Sequence, residues 1–190
     1  MIELANPPQE AKDLISCLVQ SDIKFHLDIG SQNGAAILHI PAEKRLFCEA
    51  SKEFVVCTPT PCFYGDAFLL SRYFSSNLFD LITALDVIEH QSKEDGGKLI
   101  EMVEHLGCAR IIFSTPLGEL WIGEDKREYQ THLSGWQPEE FTAIGYKCLV
   151  YPNYHPFCGY FFAIKDLQRE FKLPKVPMKE GIFRDGYWVE

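Results

Sequence analysis

Apolar and polar positions along the chain follow two periods. Ala11, Leu14, Ile15, Leu18 and Val19 return at helical spacing, which predicts an amphipathic helix with one core-facing stripe. Asn6 suits its N-cap, Pro7 its first position, and Gln9 completes a capping box. Phe25 to Ile29 is short, apolar-rich and closed by Gly30, so it reads as a strand entering the tight turn Gly30-Ser31-Gln32-Asn33-Gly34. Further strands are predicted at Arg45 to Cys48, closed by Glu49, and at Phe63 to Asp66. Leu78 to Leu85 is nearly continuously apolar, as a strand buried on both faces should be. Ser92 and Asp95 cap a helix whose inner face carries Leu99, Ile100, Val103 and Leu106 and which ends at Gly107. Ala109 to Ser114 follows as a fifth strand, and Pro138 to Ile144 as a short helix. Strand and helix signals alternating at this interval predict a mostly parallel α/β sheet. Tyr146 to Tyr151 and Gly159 to Ile164 add an antiparallel C-terminal strand pair at one edge.

No repeat, low-complexity run or long linker divides the 190 residues, so one domain over 1–190 is expected. The tail beyond Lys165, with Pro174, Pro177, Phe183, Tyr187 and Trp188, packs on this domain or on a partner subunit, which leaves a homodimer open. Composition narrows the function classes. No apolar run is long enough to span a membrane, and the N-terminus lacks the basic start and apolar core of a signal peptide. The seven cysteines are scattered with no C-x-x-C pair, as expected of reduced thiols, several of them in the core, in a cytoplasmic protein. With 18 Lys+Arg against 27 Asp+Glu the net charge is −9, so nucleic acid is not the expected partner.

Ligands of open α/β sheets bind outside the carboxyl ends of the strands. Four of the five parallel strands deliver a carboxylate at or near that end: Asp28, Glu49, Asp66 and Asp86. One acid alone would more often cap a helix; one per βα unit, at intervals of about 20 residues, fits a nucleoside ligand. Glu49 stands where an acid accepts hydrogen bonds from ribose hydroxyls. The turn has Gln32 where a dinucleotide fingerprint has glycine, and the preceding Asp28 is wrong for pyrophosphate but right for a cationic ligand. A nicotinamide oxidoreductase therefore ranks third among the candidate functions.

Asp-x-Gly-x-x-x-Gly after the first strand, with an acid closing the second, resembles the class I S-adenosylmethionine-dependent methyltransferases. The likeness continues through Tyr64-Gly65-Asp66-Ala67, Phe79 to His90, Thr115-Pro116 and His132 to Trp136, covering roughly residues 10 to 165. It implies a Rossmann-like doubly wound sheet with S-adenosylmethionine as cofactor. By position, Gly30 and Gly34 would face the methionine portion, with Asp28 orienting it. Glu49 would bind the ribose, Asp66 and Ala67 would meet the adenine, and Leu85 would line the pocket. The chain departs from the family at Gln32, and Ile40-Pro41 curtails the helix that should follow the glycine turn.

His90 and His132 lie past strands four and five and are the candidate catalytic bases for an oxygen or nitrogen acceptor. His26, His39, His105 and His155 are read as structural. Asp86, Glu89 and His90 fall on one face of a helical turn and, with His132, form a possible divalent metal site. This arrangement is similar to metal-binding methyltransferases of small-RNA 3′ ends and to quinone-biosynthesis O-methyltransferases. The metal is not favoured, because acids at a helix opening also complement its dipole.

The leading expectation is an enzyme that methylates an oxygen or nitrogen of a small-molecule or saccharide-like metabolite, with acceptor contacts around Trp121, Trp136 and Tyr154. The alternative is a catalytically degenerate methyltransferase-fold protein serving as a binding or interaction module, motivated by Gln32 and the shortened helix.

Overall fold

The apolar run Phe79–Leu85 forms the strand at the middle of the sheet, β5, because its residues meet core on both faces. Phe25–Ile29 (β2), buried at every position, lies beside it in parallel, with Asp28 opposite Thr83. Lys44–Glu49 (β3) and Cys62–Tyr64 (β4) continue the parallel sheet on one side, and Gly107–Pro116 (β6) on the other. Lys147–His155 (β7) and Cys158–Asp166 (β8) make the antiparallel hairpin, joined to the sheet through β8 against β6. The computed structural model describes residues 1–4, 11–59, 61–119, 129–155, 158–172, 181–184 and 187–189.

Three short strands complete the sheet. Ile2–Leu4 (β1) pairs in parallel with β7, placing Ile2 opposite Cys148. Ile182–Arg184 (β9) pairs in parallel with β4, and Tyr187–Val189 (β10) runs antiparallel to β9. Among the described residues the sheet has ten strands, in the order β1-β7-β8-β6-β5-β2-β3-β4-β9-β10. The C-terminal hairpin is thus not at an edge as expected, because β1 covers β7. The tail returns to its own sheet: Phe183 is buried and stacks on Phe63 with ring centroids 5.8 Å apart.

Helices cover the two faces unequally. Lys93–Leu106 (α3) and Pro138–Ala143 (α4) press Leu99, Val103, Leu106 and Phe141 onto Leu27, Ile82, Ile111 and Phe113. Ser92 caps α3, accepting the Asp95 N–H at 3.1 Å and donating its hydroxyl to the Asp95 carboxylate at 2.8 Å. On the other face Ala11–Leu18 (α1) sets Ile15 and Leu18 against a layer containing Phe47, Leu81 and Ile112. The predicted cap Asn6-Pro7-Gln9 lies outside the described residues. Leu70–Tyr73 (α2) is a single turn after β4. No helix joins β2 to β3. Gly34 to Ile40 is a string of turns in which the Ile37 and Leu38 N–H groups both donate to the Gly34 carbonyl at 3.0 Å. Pro41 disfavours helical backbone at Ile40, and buried Ile37 and Ile40 do the packing a helix would have done.

All seven cysteines are unpaired, with Cys48, Cys62, Cys108 and Cys148 buried. Among the described residues no helix is long and apolar enough to cross a membrane.

Candidate functional site

The sheet reverses its winding between β2 and β5, and an open cleft lies beyond their carboxyl ends. This is the switch point at which such sheets bind ligands. Its floor is the turn after β2. Gly30 holds φ +71°, and a Cβ there would lie 2.5 Å from Val87 Cγ2, so glycine is required on two counts. Its N–H donates to the Cys48 carbonyl at 2.9 Å, tying the turn to β3. Gln32 also has a left-handed backbone, at φ +45°, where glycine would be unstrained. Its side chain is exposed on the cleft wall.

Glu49 closes β3 with both oxygens accepting backbone N–H groups, Oε2 from Gln32 at 2.9 Å and Oε1 from Ser51 at 2.8 Å. A carboxylate has about four lone-pair sites, so Glu49 retains acceptor capacity toward the cleft it lines. Asp66 caps the 3-10 turn Ala67–Leu69 by accepting the Phe68 N–H at 3.0 Å. That turn places Ala67 and Phe68 in the same wall.

Of the sequence-predicted cofactor residues, the fold brings Gly30, Glu49, Asp66 and Ala67 to the cleft. Asp28, Gly34 and Leu85 are outside its lining. Asp28 points from β2 into the layer beneath, where a one-way relay of hydrogen bonds ends on it. Thr83 Oγ1 donates to Asp28 Oδ1 at 2.6 Å, and His26 Nε2 meets Thr83 Oγ1 at 2.7 Å. Arg45 Nε donates to His26 Nδ1 at 3.3 Å, so the His26 proton sits on Nε2. Burial pushes Asp28 up to about 6 against the pull of Thr83, Ser31 and Arg45. His26, buried and facing the Arg45 cation, is lowered to about 3 and stays neutral. Gly34 faces Phe47 and Pro59, and half-buried Leu85 packs against the core layer that holds Leu81 and Ile112.

Strand β5 ends in Asp86, a left-handed residue at φ +53°. Its Oδ1 accepts from the Tyr160 hydroxyl at 2.7 Å, and that hydroxyl lies 2.6 Å from Ser114 Oγ. The 3-10 turn Ile88–His90 follows. Glu89 is buried, its Oε2 accepts from Thr115 Oγ1 at 3.0 Å, and among the described residues its Oε1 has no hydrogen-bond partner. Burial first, and then the adjacent Asp86 carboxylate, raise its pKa well above the usual range. Leu133 and Ser134 N–H groups donate to the Glu89 carbonyl at 2.7 and 3.1 Å. That clamp sets the His132 ring edge-on to His90, with centroids 4.9 Å apart. His90 Nδ1 lies 3.2 Å from the Thr131 carbonyl oxygen; donating there leaves Nε2 with the lone pair of the neutral ring. One donor atom each from Glu89, His90 and His132 lie within 4.8 Å of one another. An unpartnered buried carboxylate oxygen beside two imidazoles is a donor set that suits a divalent cation of intermediate softness. Asp86, the fourth candidate, is held by Tyr160.

The aromatic expectations divide. Trp136 is buried against Gly96 and Phe141 with its Nε1–H on Ser134 Oγ at 2.8 Å, so it is core and not an acceptor contact. Tyr154 stacks on Tyr160 at 4.7 Å. Trp121 lies outside the described residues. Tyr160 and Tyr129 were invisible as site residues in the sequence, and Thr115 stood there only within the Thr115-Pro116 likeness, with no role assigned. Thr83 carried a faint signal as a polar residue inside an apolar strand.

No family model and no curated protein matches the chain by sequence. Solved structures do match by shape. A SAM-dependent methyltransferase from Archaeoglobus fulgidus is 12% identical with a TM-score of 0.59, over 81% of this chain and 94% of that one. The N-methyltransferase NodS from Bradyrhizobium japonicum is 14% identical with a TM-score of 0.61, over 84% and 94%. The cyclase SpnF is 15% identical with a TM-score of 0.61, over 84% and 81%. The fold is that of the class I S-adenosylmethionine-dependent methyltransferases, Rossmann-like, with a mostly parallel sheet. A cyclase among the neighbours means that the chemistry must be argued from the site.

Proposed function

We propose that this chain, built on the class I methyltransferase fold, binds S-adenosylmethionine in the switch-point cleft and transfers its methyl group to an oxygen or nitrogen of a small-molecule or saccharide-like acceptor. One observation carries the reading. The lining of the cleft includes the carboxylates Glu49, Asp66 and Asp86 and, among the described residues, no lysine or arginine. That field favours a sulfonium and an α-ammonium and repels the pyrophosphate of a dinucleotide.

In this reading the Gly30 turn meets the methionine portion, with Asp28, Gly34 and Leu85 supporting the wall from behind. Glu49 takes the ribose hydroxyls, and Asp66 and Ala67 the adenine edge. The sulfonium is already activated, so the protein supplies in-line positioning and exclusion of water. His90 Nε2 receives the acceptor proton, and His132 packs against that ring and fixes its approach. Glu89, His90 and His132 would hold a divalent ion, which supplies charge stabilisation to an acceptor oxygen when bound; His90 then acts as ligand and not as base.

The test is calorimetric titration with S-adenosylhomocysteine and NAD, followed by transfer of a labelled methyl group to a panel of hydroxylated and aminated metabolites. Binding of the sulfur nucleoside alone, with turnover lost in His90→Asn at unchanged cofactor affinity, is the expected result. The left-handed Gln32 side chain on the cleft wall favours a second reading, a non-catalytic binding module. Absence of any cofactor binding would decide for it.

A further inference from the structure

Arg45, His26, Thr83 and Asp28 form a hydrogen-bonded chain under the turn that floors the cleft. The sheet register assembles it, with Asp28 opposite Thr83 across β2 and β5 and His26 opposite Arg45 across β2 and β3. His26, Thr83 and Asp28 are buried. The turn is bolted to the same strand: Ser31 Oγ donates to the Asp28 carbonyl at 2.7 Å and accepts the Cys48 N–H at 3.2 Å.

The direction of every bond in the chain follows from its first member, because an arginine only donates. Arg45 Nε–H gives to His26 Nδ1 at 3.3 Å, which leaves the His26 proton on Nε2. That proton goes to Thr83 Oγ1 at 2.7 Å, and Thr83 turns its own hydroxyl proton to Asp28 Oδ1 at 2.6 Å. A donor fixed on Oδ1 favours the ionised carboxylate. The other titratable groups facing Asp28 are Cys48 and Glu49 of β3. Burial pushes Asp28 up to about 6, with Thr83, Ser31 and Arg45 pulling down and Glu49 adding to the rise, so it is ionised at neutral pH. A buried carboxylate destabilises a fold unless positive charge lies near it, and Arg45 reaches this one only through two neutral side chains.

Resting on the reading that S-adenosylmethionine lies over the Gly30 turn, we propose that Arg45, His26 and Thr83 are positioning residues that hold Asp28 as a fixed buried counter-charge to the sulfonium, acting through the turn and not by contact. S-adenosylmethionine and S-adenosylhomocysteine share their amino-acid, ribose and adenine portions and differ in one methyl group and its positive charge. A counter-charge therefore changes the ratio of their affinities, whereas damage to the turn weakens both.

The experiment titrates both nucleosides by calorimetry into wild type, Asp28→Asn, Thr83→Val and Thr83→Ser at pH 7.5 and pH 5.0. At pH 7.5 Asp28→Asn should weaken S-adenosylmethionine relative to S-adenosylhomocysteine about tenfold. Thr83→Val should show part of that loss, and Thr83→Ser, which keeps the hydroxyl, should match wild type. Asp28 loses its charge as the pH falls through about 6, so wild type at pH 5.0 should show the ratio of Asp28→Asn. Carbon-13 NMR of the Asp28 carboxyl in the ligand-free protein reads the chain itself: Thr83→Val should move its titration midpoint upward, and Thr83→Ser should leave it in place. An affinity ratio unmoved by Asp28→Asn would overturn the counter-charge, and a midpoint unmoved by Thr83→Val would overturn the positioning chain. Failure of wild type to bind either nucleoside would overturn the counter-charge together with the cofactor reading, while the NMR midpoint, read without ligand, still decides on the chain.

Discussion

Gly30→Ala tests the floor of the cleft. The backbone there is left-handed at φ +71°, and the added Cβ would stand 2.5 Å from Val87 Cγ2. A left-handed residue with a Cβ costs about 1–2 kcal/mol, and forcing a methyl into packed space costs about 1–3 kcal/mol. Their sum, about 2–5 kcal/mol, is a large part of the ~5–15 kcal/mol that holds a domain folded. At this size it lowers the unfolding midpoint by about 4–20 °C. The assay is urea denaturation followed by circular dichroism, with S-adenosylhomocysteine affinity measured in parallel. Val87→Ala should relieve the clash but not the dihedral cost, so the double variant should recover about 1–3 kcal/mol in a double-mutant cycle. Gly97→Ala is the control: nothing lies within 4 Å of its Cβ position on α3, and there alanine should stabilise by up to ~1 kcal/mol. A Gly30→Ala protein within about 1 kcal/mol of wild type, or a cycle with no coupling to Val87, would refute the reasoning.

Gln32→Gly, at φ +45°, should gain about 1 kcal/mol in urea denaturation, since relief of the left-handed strain outweighs the extra freedom of the unfolded chain; it should also tighten S-adenosylhomocysteine in calorimetry by clearing the cleft wall. Asp28 has a folded pKa raised to about 6 from 3.8, so its contribution to stability is present below pH 3.8 and lost as pH rises through 6. Asp28→Asn should therefore stabilise the protein by about 1–3 kcal/mol at pH 7.5 and not at pH 3.5, measured by denaturation at the two pH values. His26 has its folded pKa lowered to about 3 from 6.5, so its contribution is present above pH 6.5 and lost as pH falls toward 3; His26→Gln should flatten that acid limb in a thermal-melt series against pH. Mn²⁺ or Zn²⁺ should raise the unfolding midpoint of wild type, by about 2.7 kcal/mol of stabilisation at 100 times the dissociation constant, and should leave a His132→Ala, Glu89→Gln double variant unmoved.

Local information sufficed for much of this protein. The strand Phe25–Ile29 falls on its observed residues, β5 within one residue, and α3 begins at the Ser92 cap. Gly30, Glu49, Asp66 and Ala67 reach the cleft because a strand end followed by a tight turn delivers its side chain to the same end of the sheet wherever the strand lies. Alternation, capping and turn chemistry act over a few residues, and so a sequence displays them.

What the sequence left open depends on contacts between distant segments. Asp28 had the right position for the cleft, but Thr83, far along the chain and opposite it in register, draws its carboxylate inward. Tyr160 reaches Asp86 only because the hairpin inserts antiparallel beside β6. The three-residue strands β1 and β9 are too short for a period to register, and pairing with β7 and β4 creates them. Trp136 looked like a rim aromatic until the bare surface of Gly96 gave its ring a seat in the core. The sequence by itself determined which groups stand at the ends of the strands. The tertiary structure alone decided which of them still face the cleft, because burial and the remaining hydrogen-bond capacity of each group depend on partners brought from elsewhere in the chain.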